Sequence, residues 1–278
     1  MDYISEKRNI FSQAAELLLQ MFFPLSTYCL CCGKPVDSTR SYSICDHCIR
    51  HITWGNICID LEAESRHLGR QARLDSAVAC VRYGLYERRL IFDLKYDGRT
   101  YVARALGHIM ADRLAAGNMG DTGACTRPGV SAGPNLYSGG RPPGHYGGFD
   151  YIVPVPVHRD KEKARGFNQA EKMARHLSRR IGVPVLPRAI IRSRNTAAQR
   201  SLSAEDRYFN LEGAFSINDR ERSRIAGSRI LLLDDVYTTG ATAHQCGGVL
   251  KDAGAARVDF IAFATGNDFA SGFFAVRD

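Results

Sequence analysis

The stretch Arg229-Ile-Leu-Leu-Leu-Asp-Asp-Val-Tyr-Thr-Thr-Gly-Ala-Thr242 reads as a buried strand, a pair of carboxylates and a short hydroxyl- and glycine-rich turn that opens a helix. Ile230 to Leu233 are four consecutive aliphatic residues, the continuous apolar run expected of a strand covered on both faces. Asp234 and Asp235 stand at the expected end of that strand, over 229–233. A turn that leads into a helix N-terminus presents backbone N–H groups and the positive end of the helix dipole, and both favour a phosphate. The hydroxyls of Thr238, Thr239 and Thr242 add donors to that nest. Gly240 permits a close approach and a backbone conformation that a side chain would block. Two adjacent acids accept hydrogen bonds from vicinal hydroxyls, and they are costly to hold together without donors or a cation between them. An Asp-Asp pair after a strand also fits a helix N-cap. The Thr-Thr-Gly that follows turns the balance toward a site for a sugar phosphate.

The flanking segments place this strand in an α/β fold. Apolar runs at 76–83, 150–157 and 257–264 predict strands. Helical patterns cover 86–95, 100–114, 168–181 and 241–253, the first two split by the turn Asp97-Gly98-Arg99. Short extended pieces are expected at 183–186 and 189–192, and a brief helix at 204–208. Alternating strands and helices imply a mostly parallel sheet with helices on both faces. In such sheets ligands bind outside the carboxyl ends of the strands, where Asp234 and Asp235 fall. Residues 61–73 read as a charged linker. Residues 117–148 are dense in Gly, Pro, Ser and Asn without apolar period, and read as a flexible insertion.

The chain of 278 residues carries a net charge of +8, which favours anionic partners such as nucleotides, phosphates or nucleic acid. At the N-terminus Ile10, Ala14, Leu17, Leu18 and Met21 recur at helical spacing, and Gln13, Glu16 and Gln20 interrupt the run. Segment 1–25 is therefore expected to be an amphipathic helix, too short and too polar to span a membrane. A cytoplasmic location is expected.

Six of the nine cysteines lie between Cys29 and Cys58. An odd, clustered set does not suit a secreted disulfide framework. The pairs Cys29/Cys32 and Cys45/Cys48 form two C-x2-C knuckles, each able to grip one side of a tetrahedral ion through thiolates. A structural zinc module over 26–60 follows, with Cys29, Cys32, Cys45 and Cys48 as ligands. Cys31 is an alternative to Cys32, and His47, His51 or Cys58 to one of the other cysteines. Four thiolates leave no open position for catalysis. The module's role stays open between stabilisation and the binding of nucleic acid or a partner.

The run Leu232 to Thr242 closely resembles the phosphoribosyl-pyrophosphate-binding motif of type I phosphoribosyltransferases. The wider chain is similar to the ComF family of competence proteins. That resemblance runs through the cysteine module, Leu90-Ile-Phe-Asp-Leu-Lys-Tyr96, Val153-Pro-Val-Pro156, Arg165-Gly-Phe-Asn-Gln-Ala170, the segment 194–207 and the binding motif. It implies a type I phosphoribosyltransferase-like domain over 74–278. It implies that Asp234 and Asp235 hold the ribose 2′- and 3′-hydroxyls, and that Thr238, Thr239, Gly240, Ala241 and Thr242 cradle the 5′-phosphate, with Val236 and Tyr237 completing the motif. Lys95 and Arg165 are the candidates for the pyrophosphate end, Arg165 gripping bidentately and Lys95 as a point charge. The run 159–165 otherwise reads as a solvated mixed-charge loop. Asn168 and Gln169 fit either site donors or caps of the following helix. Thr196, Gln199 and Arg207 match a family segment without a derivable role. Cys58 alone stands where that family often carries a second cysteine cluster, which leaves one zinc.

Two functions from different classes are consistent with these residues. The first is a binding protein for phosphoribosyl pyrophosphate, a related sugar phosphate or a nucleotide, acting in DNA uptake with single-stranded DNA and other competence proteins as partners. The second is a phosphoribosyltransferase in nucleotide metabolism, in which a nucleophile displaces pyrophosphate from C1′ with Mg2+ bridging pyrophosphate and ribose oxygens. No residue reads as a clear general base and no base-reading hood is legible, so the acceptor is unassigned. A transcription regulator is disfavoured by the lack of a helix-turn-helix pattern.

Overall fold

The computed structural model describes residues 28–37, 42–69, 71–96, 99–116, 148–194, 210–266 and 270–271. The expected N-terminal helix, most of the insertion at 117–148, the turn residues Asp97 and Gly98, the helix at 204–208 and the residues Thr196, Gln199 and Arg207 lie outside them. Two compact units divide the chain, 1–51 and 52–278.

In the first unit a knuckle at Cys29–Gly33 is closed by Gly33 N–H donating to Cys29 O (2.8 Å) and Cys29 N–H to Lys34 O (2.7 Å). Gly33 sits at φ 73°, the left-handed region that glycine enters without a Cβ penalty. The second knuckle leads into helix α1 (Asp46–His51), whose first residue is acidic and last residues are basic, in keeping with the helix dipole.

The second unit is built on a six-stranded sheet in the order β3-β6-β7-β2-β1-β8. These strands are β1 (Trp54–Ile59), β2 (Ser76–Arg82), β3 (Tyr151–Pro154), β6 (Arg229–Tyr237), β7 (Arg257–Thr265) and β8 (Ala270–Ser271). Strands β3, β6, β7 and β2 run parallel, and β1 and β8 are added antiparallel. The fold is therefore α/β with a mostly parallel sheet, as the alternation of elements implied. Trp54–Ile59, expected within the cysteine module, instead pairs with β2 and belongs to this sheet.

β7 is buried along its whole length after Arg257, which is why its sequence is apolar apart from Asp259 and the terminal Thr265. That acid is satisfied by Arg257 Nε (2.6 Å) and Nη2 (2.9 Å) and by Ser76 Oγ (2.5 Å).

Helices cover both faces. Helix α8 (Ala241–Asp252), which follows the short α7 (Arg222–Ile225), shares a core with one face, packing Ala243, Cys246 and Leu250 with Ile230, Leu232, Val258 and Phe260. On the other face lie α4 (Val102–Ala116) and α6 (Gln169–Ile181), which also pack on each other. A Cβ on Gly107 would stand 2.7 Å from His176 Cβ and 2.8 Å from Met173 O, so the glycine is what lets the two helices cross this closely.

Three departures from the sequence reading bear on the site. Residues 61–73 are not a linker: helix α2 (Leu61–Leu68) begins on Asp60, whose Oδ1 accepts from Ala63 N–H (2.8 Å), and ends on left-handed Gly69. Residues 159–165 are not a loop but helix α5 (Arg159–Arg165). Strand β6 does not stop at Leu233. It pairs with β7 through Asp234↔Ala262, Val236↔Ala264 and Tyr237↔Thr265, so the two acids lie inside the strand. Ladder bonds to β7 hold these polar residues extended, and the apolar period could not report that.

Candidate functional site

The direction of the chain at β3 and β6 makes a crevice. After β3, helix α6 carries the chain back to β3's outer side, where Val185 bridges Ile152 in parallel. After β6, helix α8 carries it the other way, to β7. Two neighbouring parallel strands whose connections diverge form a topological switch point, the usual place for a ligand at the carboxyl ends of such a sheet. Asp234 and Asp235 stand on β6 at that point.

The acids do not stand alone. Lys95, near the end of helix α3 (Leu85–Tyr96), places Nζ 2.5 Å from Asp235 Oδ2, and Asp235 is buried. Burial acts against the Lys95 ammonium, but Asp235 and Asp234 outweigh it and hold Lys95 above its ordinary value; Arg165, the last residue of α5, acts in the opposite sense. The Asp235 N–H donates to Asp234 Oδ1 at 2.8 Å. Asp234 is raised well above the ordinary 3.8 by burial and by the charge of Asp235, with its own bond from the Asp235 amide and Lys95 pulling the other way.

Two further cations reach this cluster. Arg192 closes β4 (Ile190–Arg192), which forms a separate two-stranded sheet with β5 (Phe215–Ile217), and its guanidinium lies 5.3 Å from the Phe215 ring centroid. Burial lowers Arg192, with Cys246 and Asp234 acting in its favour. Lys161, on α5, is lowered by burial and then by Arg192 and Arg165. Lys95 and Arg192 thus face the two acids, while Arg165 acts on Lys95 and Lys161, and Arg192 on Lys161. A grouping of cations of this kind is one that a multiply charged anion neutralises.

The sequence had indicated Lys95 and Arg165 but not Lys161 or Arg192. Lys161 is one of six charged side chains in a seven-residue run. Arg192 enters only because a hairpin with a partner more than twenty residues away turns it inward. Asn168 resolves as a cap: its Oδ1 accepts from Ala170 N–H (3.0 Å) while its Nδ2 donates to Val155 O (3.0 Å), tying α6 to the end of β3. Gln169 is buried beside it, with no hydrogen bond to Oε1 among the described residues.

At the turn, Thr238 is exposed, Thr239 half-buried and Gly240 buried. Gly240 takes φ 70° and precedes α8 without any side-chain capping bond. The first amides of α8 therefore take no side-chain cap from this position. Val236 and Tyr237 belong to β6, while Ala241 and Thr242 open α8.

The raised Asp234 has a stability consequence. The folded protein binds this proton more tightly than the unfolded chain, so stability falls as pH rises from 3.8 through the folded-state value. Replacing Asp234 by Asn removes a charge the apo site disfavours. Asp234→Asn is expected to raise the melting temperature by about 2–4 °C at pH 7, with the difference from wild type closing below pH 3.8. Calorimetric melting across that range checks it; a lower melting temperature at pH 7 would show that the charge is needed for folding.

In the cysteine module the Sγ atoms of Cys29, Cys32, Cys45 and Cys48 all lie within 4.8 Å of one another. Bonds of about 2.3 Å in a tetrahedron put sulfurs about 3.8 Å apart, and Cys32 and Cys45 Sγ are 3.7 Å apart. Cys29 Sγ also accepts from Cys45 N–H at 3.3 Å. Burial works against the Cys29 thiolate, yet the amides of Cys45, Cys32 and Cys31 bring it down to about 7. Cys31 lies outside the four-sulfur group and is pushed up by burial and by its neighbours. The four cysteines fit a structural zinc ion, and the alternatives involving Cys31, His47, His51 or Cys58 are not needed.

No family model matches the chain. Competence protein F of Haemophilus influenzae is 38% identical over 103 residues, which is 37% of this chain and 44% of that protein. The DNA utilization protein YhgH of Escherichia coli is 38% identical over 109 residues, 39% of this chain and 46% of that one. Competence protein ComFC of Bacillus subtilis is 33% identical over 105 residues, 38% and 40% of the two chains. These matches support a ComF-family assignment. The chain spans less than half the length of these ComF-type relatives. Among solved structures, adenine phosphoribosyltransferases of Leishmania tarentolae (12% identity, 85% of this chain and 92% of that one, TM-score 0.33) and Leishmania donovani (13%, 67% and 75%, TM-score 0.32) are similar. At those scores the fold rests on the strand order itself. No helix among the described residues is long and apolar enough to cross a membrane.

Proposed function

We propose that the protein binds phosphoribosyl pyrophosphate or a closely related sugar phosphate at the β3/β6 crevice, through a type I phosphoribosyltransferase-like domain, and acts in DNA uptake during natural transformation. The observation that carries the reading is the juxtaposition of the acid pair with four basic side chains, Lys95, Lys161, Arg165 and Arg192, next to a helix N-terminus that no side chain caps. In it Asp234 and Asp235 accept from the ribose hydroxyls, the turn 238–242 takes the 5′-phosphate, and the cations take the pyrophosphate. Lys95 exchanges its contact with Asp235 for phosphate oxygens as the ribose arrives. The likeness to Competence protein F and to the DNA utilization protein YhgH supports the DNA-uptake part, and the net charge of +8 suits single-stranded DNA as a partner.

The donor set suits Mg2+ brought in by the ligand rather than a resident ion. The acids here are one adjacent pair, and Asp235 already faces Lys95. Mg2+ keeps several waters and takes one or two carboxylates plus substrate phosphates. Bound, it would neutralise pyrophosphate charge.

Calorimetric titration with phosphoribosyl pyrophosphate and Mg2+ tests the reading. Saturable binding is expected, and an absence of heat at millimolar ligand would overturn it. Pyrophosphate release over a panel of purine and pyrimidine bases then separates a transferase from a binding protein. Release with one base would establish the transferase, and its absence with all of them is the result expected of the binding role.

A further inference from the structure

Beneath the phosphate turn lies a buried polar network that the sugar-phosphate reading does not use. Glu64, on α2, is 1% exposed, Tyr237 2% and His244 4%. Tyr237 Oη donates to Glu64 Oε2 at 2.7 Å, and His244 Nε2 lies 3.3 Å from the same oxygen. The Arg73 N–H donates to His244 Nδ1 at 3.2 Å, which places the ring proton on Nε2 and makes the imidazole a donor to Glu64. Tyr237 is pushed well above its ordinary value by burial and then by Glu64, so its hydroxyl keeps its proton and its bond.

Tyr237 is the last residue of β6, and His244 lies in the first turn of α8. One carboxylate oxygen thus holds both ends of the segment that contains Thr238, Thr239, Gly240 and Thr242. Its other oxygen lies directly under that segment. A Cβ on Gly240 would stand 2.7 Å from Glu64 Oε1 and would collide with Tyr237 Oη. The turn is therefore seated on the carboxylate, with Gly240 in a left-handed conformation as the contact.

We propose that Glu64 is a positioning residue for the 5′-phosphate. By tying the entry and the exit of the turn to a single acceptor, it fixes the direction in which the first amides of α8 point. This rests on the sugar-phosphate reading of the site and names one more residue of it, on an element far from the motif in sequence. A misplaced set of amides weakens a phosphate monoester and leaves the side chains of the cation cluster as they were.

The test compares two probes, ribose 5-phosphate and inorganic pyrophosphate with Mg2+, by calorimetry on the full chain. Glu64→Ala is expected to weaken ribose 5-phosphate about tenfold while pyrophosphate affinity changes less than about twofold. Glu64→Gln, whose amide oxygen still accepts both hydrogens, recovers most of the loss. Tyr237→Phe, a gentler change should Glu64→Ala fail to fold, is expected to lose about threefold for ribose 5-phosphate alone. Equal weakening of both probes in step with a lower melting temperature would overturn the proposal, because a merely structural residue behaves so. Unchanged ribose 5-phosphate affinity in both Glu64→Ala and Tyr237→Phe would also overturn it while leaving the site reading intact. If the wild type binds neither probe, the site reading itself fails and the proposal falls with it.

Discussion

The double variant Asp234→Asn/Asp235→Asn is expected to lose at least about 100-fold in affinity for phosphoribosyl pyrophosphate. A hydrogen bond to a charged acceptor contributes about 1.5–3 kcal/mol, and two are removed, so about 3–6 kcal/mol of binding goes with them. An amide can still accept from a hydroxyl, but without the charge that makes the bond strong. The two positions should separate in stability. Asp235 is the partner of half-buried Lys95 at 2.5 Å, so Asp235→Asn leaves a cation without its counter-charge and lowers the melting temperature. Asp234 bears the cost of burial beside Asp235, so its substitution acts in the opposite sense. Titration calorimetry and thermal melting on the two single variants and the double variant check this pattern. Wild-type affinity in the double variant would remove the acid pair from the site.

Removal of metal from the cysteine module is expected to be as large an effect, confined to a different unit. Binding of a structural zinc ion contributes about 10–16 kcal/mol in small metal-dependent modules, and the unit ending at His51 has only one short helix among its described residues to hold it together otherwise. The protein should purify with about one zinc per chain, released by a thiol-reactive mercurial. Cys48→Ser or strong chelation should make the segment around 28–51 susceptible to trypsin, while the sheet, which draws its strands from residue 54 onward, keeps its circular dichroism. A metal content near zero after chelator-free purification would refute the centre. Retained protease resistance in Cys48→Ser would refute its structural role.

Much of this architecture was legible in advance where the period of apolar residues is strong. The aliphatic run Ile230–Leu233 of β6, the run Phe260–Ala264 of β7, and the three-to-four spacing of α6 with its Asn168 and Gly182 ends each belong to one kind of element. Reading failed where tertiary contacts overrode weak local signals. Helix α2 is charged enough to pass for a linker, although Asp60 before it and Gly69 after it are cap residues in retrospect. The extension of β6 past Leu233 owes everything to its neighbour β7. Helix α5 has no buried side chain to reveal it.

By itself the sequence determined the residues of the proposed ligand site and the four cysteines that cluster, because both are written in contiguous residues: a strand, two acids and a threonine-glycine turn in one case, two C-x2-C knuckles in the other. Only the tertiary structure decided what surrounds the site. Arg192 acts on Asp234 from β4, Lys161 lies beside Arg192 and Arg165 from α5, and Glu64 meets Tyr237 from a helix more than 170 residues before the turn. Such groups leave no periodic or spacing signal, because their selection depends on which elements the sheet order brings to the switch point, and long-range packing alone sets that order.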